Sequence, residues 1–187
     1  VNNNNAAESS HVSAASSPRG GKRFESVVFE KNKADEAGGA VYAAAGAAVT
    51  YVGCTFTSNS AGTFGGAICS DGGDVTDVDG SYSSNTAKKG GATALKNGGV
   101  LASTGTRWTS NVAVAYGGAV YYATGRTSSL NFPRPVRLVN ATLTKNTAAD
   151  GGGVYAPGVS VSASRCTVEY NEAKRRGGGF YVESGND

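Results

Sequence analysis

One pattern recurs six times along this chain of 187 residues. A large aromatic or aliphatic residue is followed three positions later by Asn, and two positions after that by Ala. A short variable stretch then leads to Gly-Gly, a small residue and usually an apolar pair. The Asn residues are Asn32, Asn59, Asn85, Asn111, Asn146 and Asn171, separated by 27, 26, 26, 35 and 25 residues. The glycine pairs begin at Gly38, Gly65, Gly90, Gly117, Gly151 and Gly177. A unit this short cannot bury a core by itself. It must stack on its neighbours, so the period restricts the chain to a solenoid.

The composition inside each unit selects the kind of solenoid. A leucine-rich repeat needs a periodic leucine framework and a helical side, and neither is present. Gly, Thr, Ser and Val dominate, and short β-prone segments are broken by Gly and Asn. The expected fold is all-β: a right-handed parallel β-helix of about six coils of 25–27 residues, with one longer coil. Each coil is read as three short strands and three turns. Stacking at the interstrand spacing of about 4.8 Å gives a rod about 30 Å long.

Strand alternation assigns the inward columns. Three residues before each Asn stand Phe29, Phe56, Tyr82, Trp108, Leu143 and Val168, all large enough for a core. Five before stand Val27, Cys54, Gly80, Thr106, Ala141 and Cys166. An upstream strand places Val49 and Tyr51, Leu101 and Ser103, Val136 and Leu138, and Val161 and Ala163 inward, with Val75 and Asp77 as the outlier. Tyr82 and Trp108 need partners for their polar atoms. The Asn column is expected at a left-handed turn, with an amide ladder running from coil to coil. The Gly pair marks a tight bend, where positive φ or close backbone approach is required.

The Phe-x-x-Asn and Gly-Gly-Ala-Ile elements together resemble the repeats of the chlamydial polymorphic outer-membrane proteins. Phe29 to Asn32 with Gly38 to Val41, and Phe56 to Asn59 with Gly65 to Ile68, carry the likeness. It extends over roughly residues 24 to 182, although Tyr82, Trp108, Leu143 and Val168 replace Phe in later copies. The resemblance implies a β-helical passenger exported to the cell surface and used in adhesion.

Residues 1 to 20 are of low complexity and read as a linker or an irregular cap. Residues 21 to 187 read as the β-helix, part of a longer stack that associates end to end or laterally with another chain or domain. The long coil carries an insertion of about nine residues within Ala123 to Arg137. Insertions in solenoids form loops, often on a binding side. Arg126, Phe132 and Arg134 are its candidate contact residues, for a protein or glycan surface ligand. Asn140-Ala141-Thr142 is a glycosylation sequon, so Asn140 is a candidate modification site. Cys54 and Cys166 share a column four coils apart and are too distant to bond. Three buried free thiols are favoured over a Cys54–Cys69 bridge.

Several function classes lose support. Net charge is only +3 and the basic residues are scattered, which does not suit nucleic-acid binding. No apolar run reaches the length of a transmembrane helix. β-Helical lyases and epimerases need clustered carboxylates with a basic partner or calcium, whereas the single histidine, His11, lies in the low-complexity head. Asp71, Asp74, Asp77 and Asp79 suggest calcium ligands, but Gly72-Gly73 makes a solvated turn the simpler account. An ice-binding face needs a regular Thr array. The pairs Thr55/Thr57 and Thr142/Thr144 are interrupted by Glu30, Arg107 and Glu169. The sequence therefore reads as an extracellular or cell-surface structural or adhesive module without catalysis, cofactor or metal. A carbohydrate-binding or lyase-like β-helix and an ice-binding solenoid are the alternatives.

Overall fold

The computed structural model describes residues 21–122 and 136–183. They form a parallel β-solenoid of six coils with no helix among them. Each coil contributes one strand to each of four six-stranded sheets, here A to D in chain order. In the second coil these strands are Ala48–Val52, Thr55–Thr57, Ser60–Ala61 and Ile68–Asp71. Every pairing is between equivalent strands of adjacent coils and is parallel.

The sequence led to three strands per coil, and the structure has four. The variable stretch between Asn and the Gly pair forms sheet C, from the two-residue Lys33–Ala34 to the five-residue Val112–Tyr116. Its length differs between coils, which hid it. Register shifts between Ala87 and Lys89, between Val112 and Tyr116, and between Ala148 and Asp150 absorb the difference as bulges.

The corners explain the sharp turns. The two-residue corner between sheets A and B opens on a left-handed residue: Ser26, Gly53, Asp79, Gly105, Asn140 and Arg165, with φ of 51–71°. The corner between sheets B and C is a left-handed residue followed by the repeat Asn, the left-handed positions being Lys31, Ser58, Ser84, Ser110, Lys145 and Tyr170. The repeated Asn was expected to take this conformation. It is the residue before it that does, and none of the six repeat asparagines has positive φ.

The Asn side chain instead repairs what the corner breaks. Nδ2 of Asn85 donates to the Phe56 carbonyl of the preceding coil (2.9 Å) and to Oδ1 of Asn111 in the next (2.9 Å). Its own Oδ1 accepts from the backbone N–H and Nδ2 of Asn59 (2.9 and 3.0 Å). The same links run from Asn32 through Asn111 and Asn146 to Asn171. A corner carbonyl and a corner N–H that no sheet partner reaches are thereby paired inside the stack.

The Gly pair serves two separate needs. The first glycine is left-handed in all six coils. The second is where coils touch: a Cβ on Gly66 would lie 2.1 Å from the Gly91 carbonyl oxygen. The core is the set of stacked columns. Phe29, Phe56 and Tyr82 stack at 4.6 Å between centroids, and Trp108 follows at 5.6 Å. Leu143 and Val168 continue the column in register. Val41, Ile68, Thr93, Val120, Val154 and Phe180 form the inward column of sheet D.

Candidate functional site

The aspartates that suggested a metal site do not converge. Asp74 and Asp79 are exposed, whereas Asp77 points into the core and has no solvent exposure. Asp71 accepts from Tyr42 Oη (2.7 Å) and pairs with Lys96 (3.1 Å), so it is tied into a surface network. Among the described residues no group of three or more His, Cys, Asp or Glu side chains is placed to hold a metal. His11 and the loop residues Arg126, Phe132 and Arg134 lie outside the described residues. Asn140 is exposed at an A–B corner.

The three thiols are free. Cys54 faces inward. Cys69 follows inward Ile68 on its strand and so belongs to the outward column, covered but on the other side of the sheet. Burial pushes its thiol up to about 12. Cys166 is only half-buried, which corrects the expectation of three buried thiols.

Asp77 creates a polar chamber in the third coil. Its Oδ2 accepts from Thr106 Oγ1 (2.5 Å), which itself accepts from Ser103 Oγ (2.7 Å). Gly80 makes the room, since a Cβ there would lie 2.4 and 2.6 Å from the two carboxylate oxygens. Asp77 Oδ1, Tyr51 Oη and Trp108 Nε1 are buried without hydrogen-bond partners, so the indole does not find the partner it was expected to need. Burial raises the Asp77 carboxyl from 3.8 to about 6. The Thr106 and Tyr82 hydroxyls pull it down, and Asp79 pushes it up.

In the folded chain Asp77 holds its proton more tightly than when unfolded. Its contribution is present below pH 3.8 and is lost as pH rises through about 6. The loss is about 3 kcal/mol for a shift of this size. Asp77→Asn is expected to be more stable than wild type at pH 7 and to show a flatter profile between pH 4 and 7. Urea unfolding of both chains at the two pH values measures this, and parallel profiles would refute it.

The outer surface carries a second constellation, on either side of the Gly-Gly bend. The residue before the bend forms one column in register: Ala37, Phe64, Lys89, Tyr116, Asp150 and Arg176. The outward residue of sheet D forms the other: Tyr42, Cys69, Ala94, Tyr121, Tyr155 and Tyr181. Between them on each coil lie the two glycines, a small residue and the inward residue of sheet D, so no large outward side chain separates the two columns and they meet. Tyr116 lies 4.6 Å from Tyr155 and 6.1 Å from Tyr121, centroid to centroid. Tyr155 stacks on Tyr181 at 4.8 Å. Lys89 Nζ sits 5.3–5.7 Å from the rings of Phe64, Tyr116 and Tyr121, within cation–π range. Lys96 Nζ lies 4.7 Å from Phe64, and the Arg176 guanidinium 4.7 Å from Tyr181.

The sequence reading did not find this stripe. The two residues after the small one read as an apolar pair, whereas strand alternation sends the first inward and the second outward. That alternation was the available signal. Burial and the neighbouring phenols hold Tyr121 and Tyr155 above the ordinary tyrosine value, so their hydroxyls stay protonated. The Thr and Ser residues of sheet B do not make a comparable feature. Exposed Glu30, Arg107 and Glu169 interrupt them.

Two segments, residues 26–44 and 53–71, match the Chlamydia polymorphic membrane protein repeat. Each runs from the A–B corner to the sheet D strand, so the matched unit is the Asn corner plus the Gly-Gly bend. No curated protein and no solved structure matches the chain. The chain is a repeat-built β-solenoid scaffold, and no described helix is long and apolar enough to cross a membrane.

Proposed function

We propose that this chain is a secreted or cell-surface structural and adhesive module that works through its outer faces and catalyses no reaction. The observation that supports this most is the aromatic and cationic stripe. It runs along the outer surface of the stack, where rings and cations of successive coils are brought into contact. The match of two coils to a membrane-protein repeat supports the surface location. The partner is a protein or glycan surface. The insertion bearing Arg126, Phe132 and Arg134 is the second candidate contact on the same module, and Asn140 is its candidate glycosylation position.

Binding of the fluorescently labelled chain to cultured epithelial cells tests the reading. Saturable binding is expected. It should be absent for Gly91→Ala, in which the new methyl would lie 2.2 Å from the Gly118 carbonyl oxygen. Equal binding by that variant, or no saturation, would reject an adhesive role. A chain lacking residues 126–135 separates the contacts. Weaker binding assigns attachment to the loop, and unchanged binding assigns it to the body of the solenoid.

A further inference from the structure

We propose that the stripe beside the Gly-Gly bend binds a uronate-bearing polysaccharide, laid along the solenoid axis. This rests on the adhesive reading and names the partner of one of its faces.

Charge complementarity carries the argument. Among the described residues no carboxylate forms an ion pair with Lys89, which is held by three ring systems alone. Three coils further on, Arg175 and Arg176 share one carboxylate, Asp150. The Asp150 side chain is fully buried, whereas the two arginine side chains are 56% and 61% exposed. The stripe thus presents positive charge at two places, about 14 Å apart at the coil spacing.

The surface between those places fits a hydroxyl-rich chain better than an apolar one. Tyr121, Tyr155 and Tyr181 stack on each other at 5.8 and 4.8 Å, so the middle ring, Tyr155, has both faces occupied. Tyr121 is buried, so what remains for a ligand is the ring edges and phenol hydroxyls of the half-buried Tyr116, Tyr155 and Tyr181. An apolar partner would strip water from hydroxyls and ammonium groups without replacing their hydrogen bonds, which is costly. A polysaccharide supplies hydroxyls to the phenols, carboxylates to the cations and C–H surface to the ring edges. A nucleic acid would need a longer run of cations than this face offers.

Binding of the full chain to polygalacturonate, with neutral dextran as control, tests the proposal by affinity electrophoresis. Retardation by polygalacturonate and not by dextran is expected, and it should weaken with added salt. Lys89→Ala and Tyr155→Ala should each weaken binding by about three- to tenfold. Lys145→Ala, an exposed lysine at a B–C corner, should leave it unchanged. Circular dichroism checks that each variant remains folded. No retardation by polygalacturonate overturns the proposal. So does equal weakening by Lys145→Ala, which would mean diffuse charge attraction, or unchanged binding in both stripe variants. Cell attachment that persists without polygalacturonate binding rejects the polysaccharide alone. Loss of cell attachment in the folded wild type rejects the wider adhesive reading.

Discussion

A Gly91→Ala chain is expected to lose its cooperative unfolding transition. The added Cβ would lie 2.2 Å from the Gly118 carbonyl oxygen and 2.7 Å from backbone atoms of Val112. Real Cβ atoms do not approach so closely, and all three contacts are with backbone. No rotamer change relieves them. The third and fourth coils would have to separate, which breaks the sheet pairings on both sides of the bend. The cost is expected well above about 3 kcal/mol, the upper end for ordinary overpacking. Gly98→Ala is the control. Gly98 has φ of 82° and nothing within 4 Å of its Cβ position. That change should cost only the left-handed backbone preference, about 1–2 kcal/mol. Thermal denaturation followed by circular dichroism compares the two. Similar midpoints would show that coil contact at the second glycine does not limit the fold.

Removing one rung of the amide ladder should come next in size. The Asn111 side chain makes four hydrogen bonds. Nδ2 donates to the Tyr82 carbonyl (3.0 Å) and to Asn146 Oδ1 (2.9 Å). Oδ1 accepts from the N–H and Nδ2 of Asn85 (3.0 and 2.9 Å). Asn111→Ala leaves the Asn85 N–H and the Tyr82 carbonyl buried without these partners. A loss of about 3–5 kcal/mol is expected from orphaned groups in a linked network. Asn111→Asp should not rescue it. A carboxylate keeps the acceptor, but it opposes the carbonyl and amide oxygens that Nδ2 now reaches. The neighbouring Ser110→Gly should change stability by no more than about 1 kcal/mol, because Ser110 already holds φ of 54°. Urea unfolding of the three variants checks the order. An Asn111→Ala midpoint close to that of Ser110→Gly would mean the ladder adds little.

These two positions also show what a linear reading can reach. A solenoid repeats one environment per coil, so a column of like residues in the sequence is a column in space. That is why Phe29, Phe56, Tyr82, Trp108, Leu143 and Val168 could be placed in one inward stack from spacing alone. The same logic identified the repeated Asn and the Gly pair as corner elements. It failed where length varies. The bulged strands of sheet C have no fixed period, so an entire sheet was missed. It also failed by one residue at the corner. Lys31, Ser58 and Tyr170 share no side-chain chemistry, and nothing in them marks left-handed backbone.

The stacking axis, the number of coils and the inward columns of sheets A and B are legible in the repeat, because burial in a solenoid demands identical register in every coil. Tertiary structure alone decided what meets across the bend. Tyr116 reaches Tyr155 of the next coil, and Lys89 reaches Tyr121 in addition to the rings of its own column. These contacts join different strands in different coils. They depend on how the Gly-Gly bend brings the outer faces of sheets C and D together, and no spacing along the chain encodes that approach. Asp77 shows the same division from the inside. Its inward position follows from alternation, while its tolerance in the core depends on Gly80 leaving space and Thr106 supplying a donor.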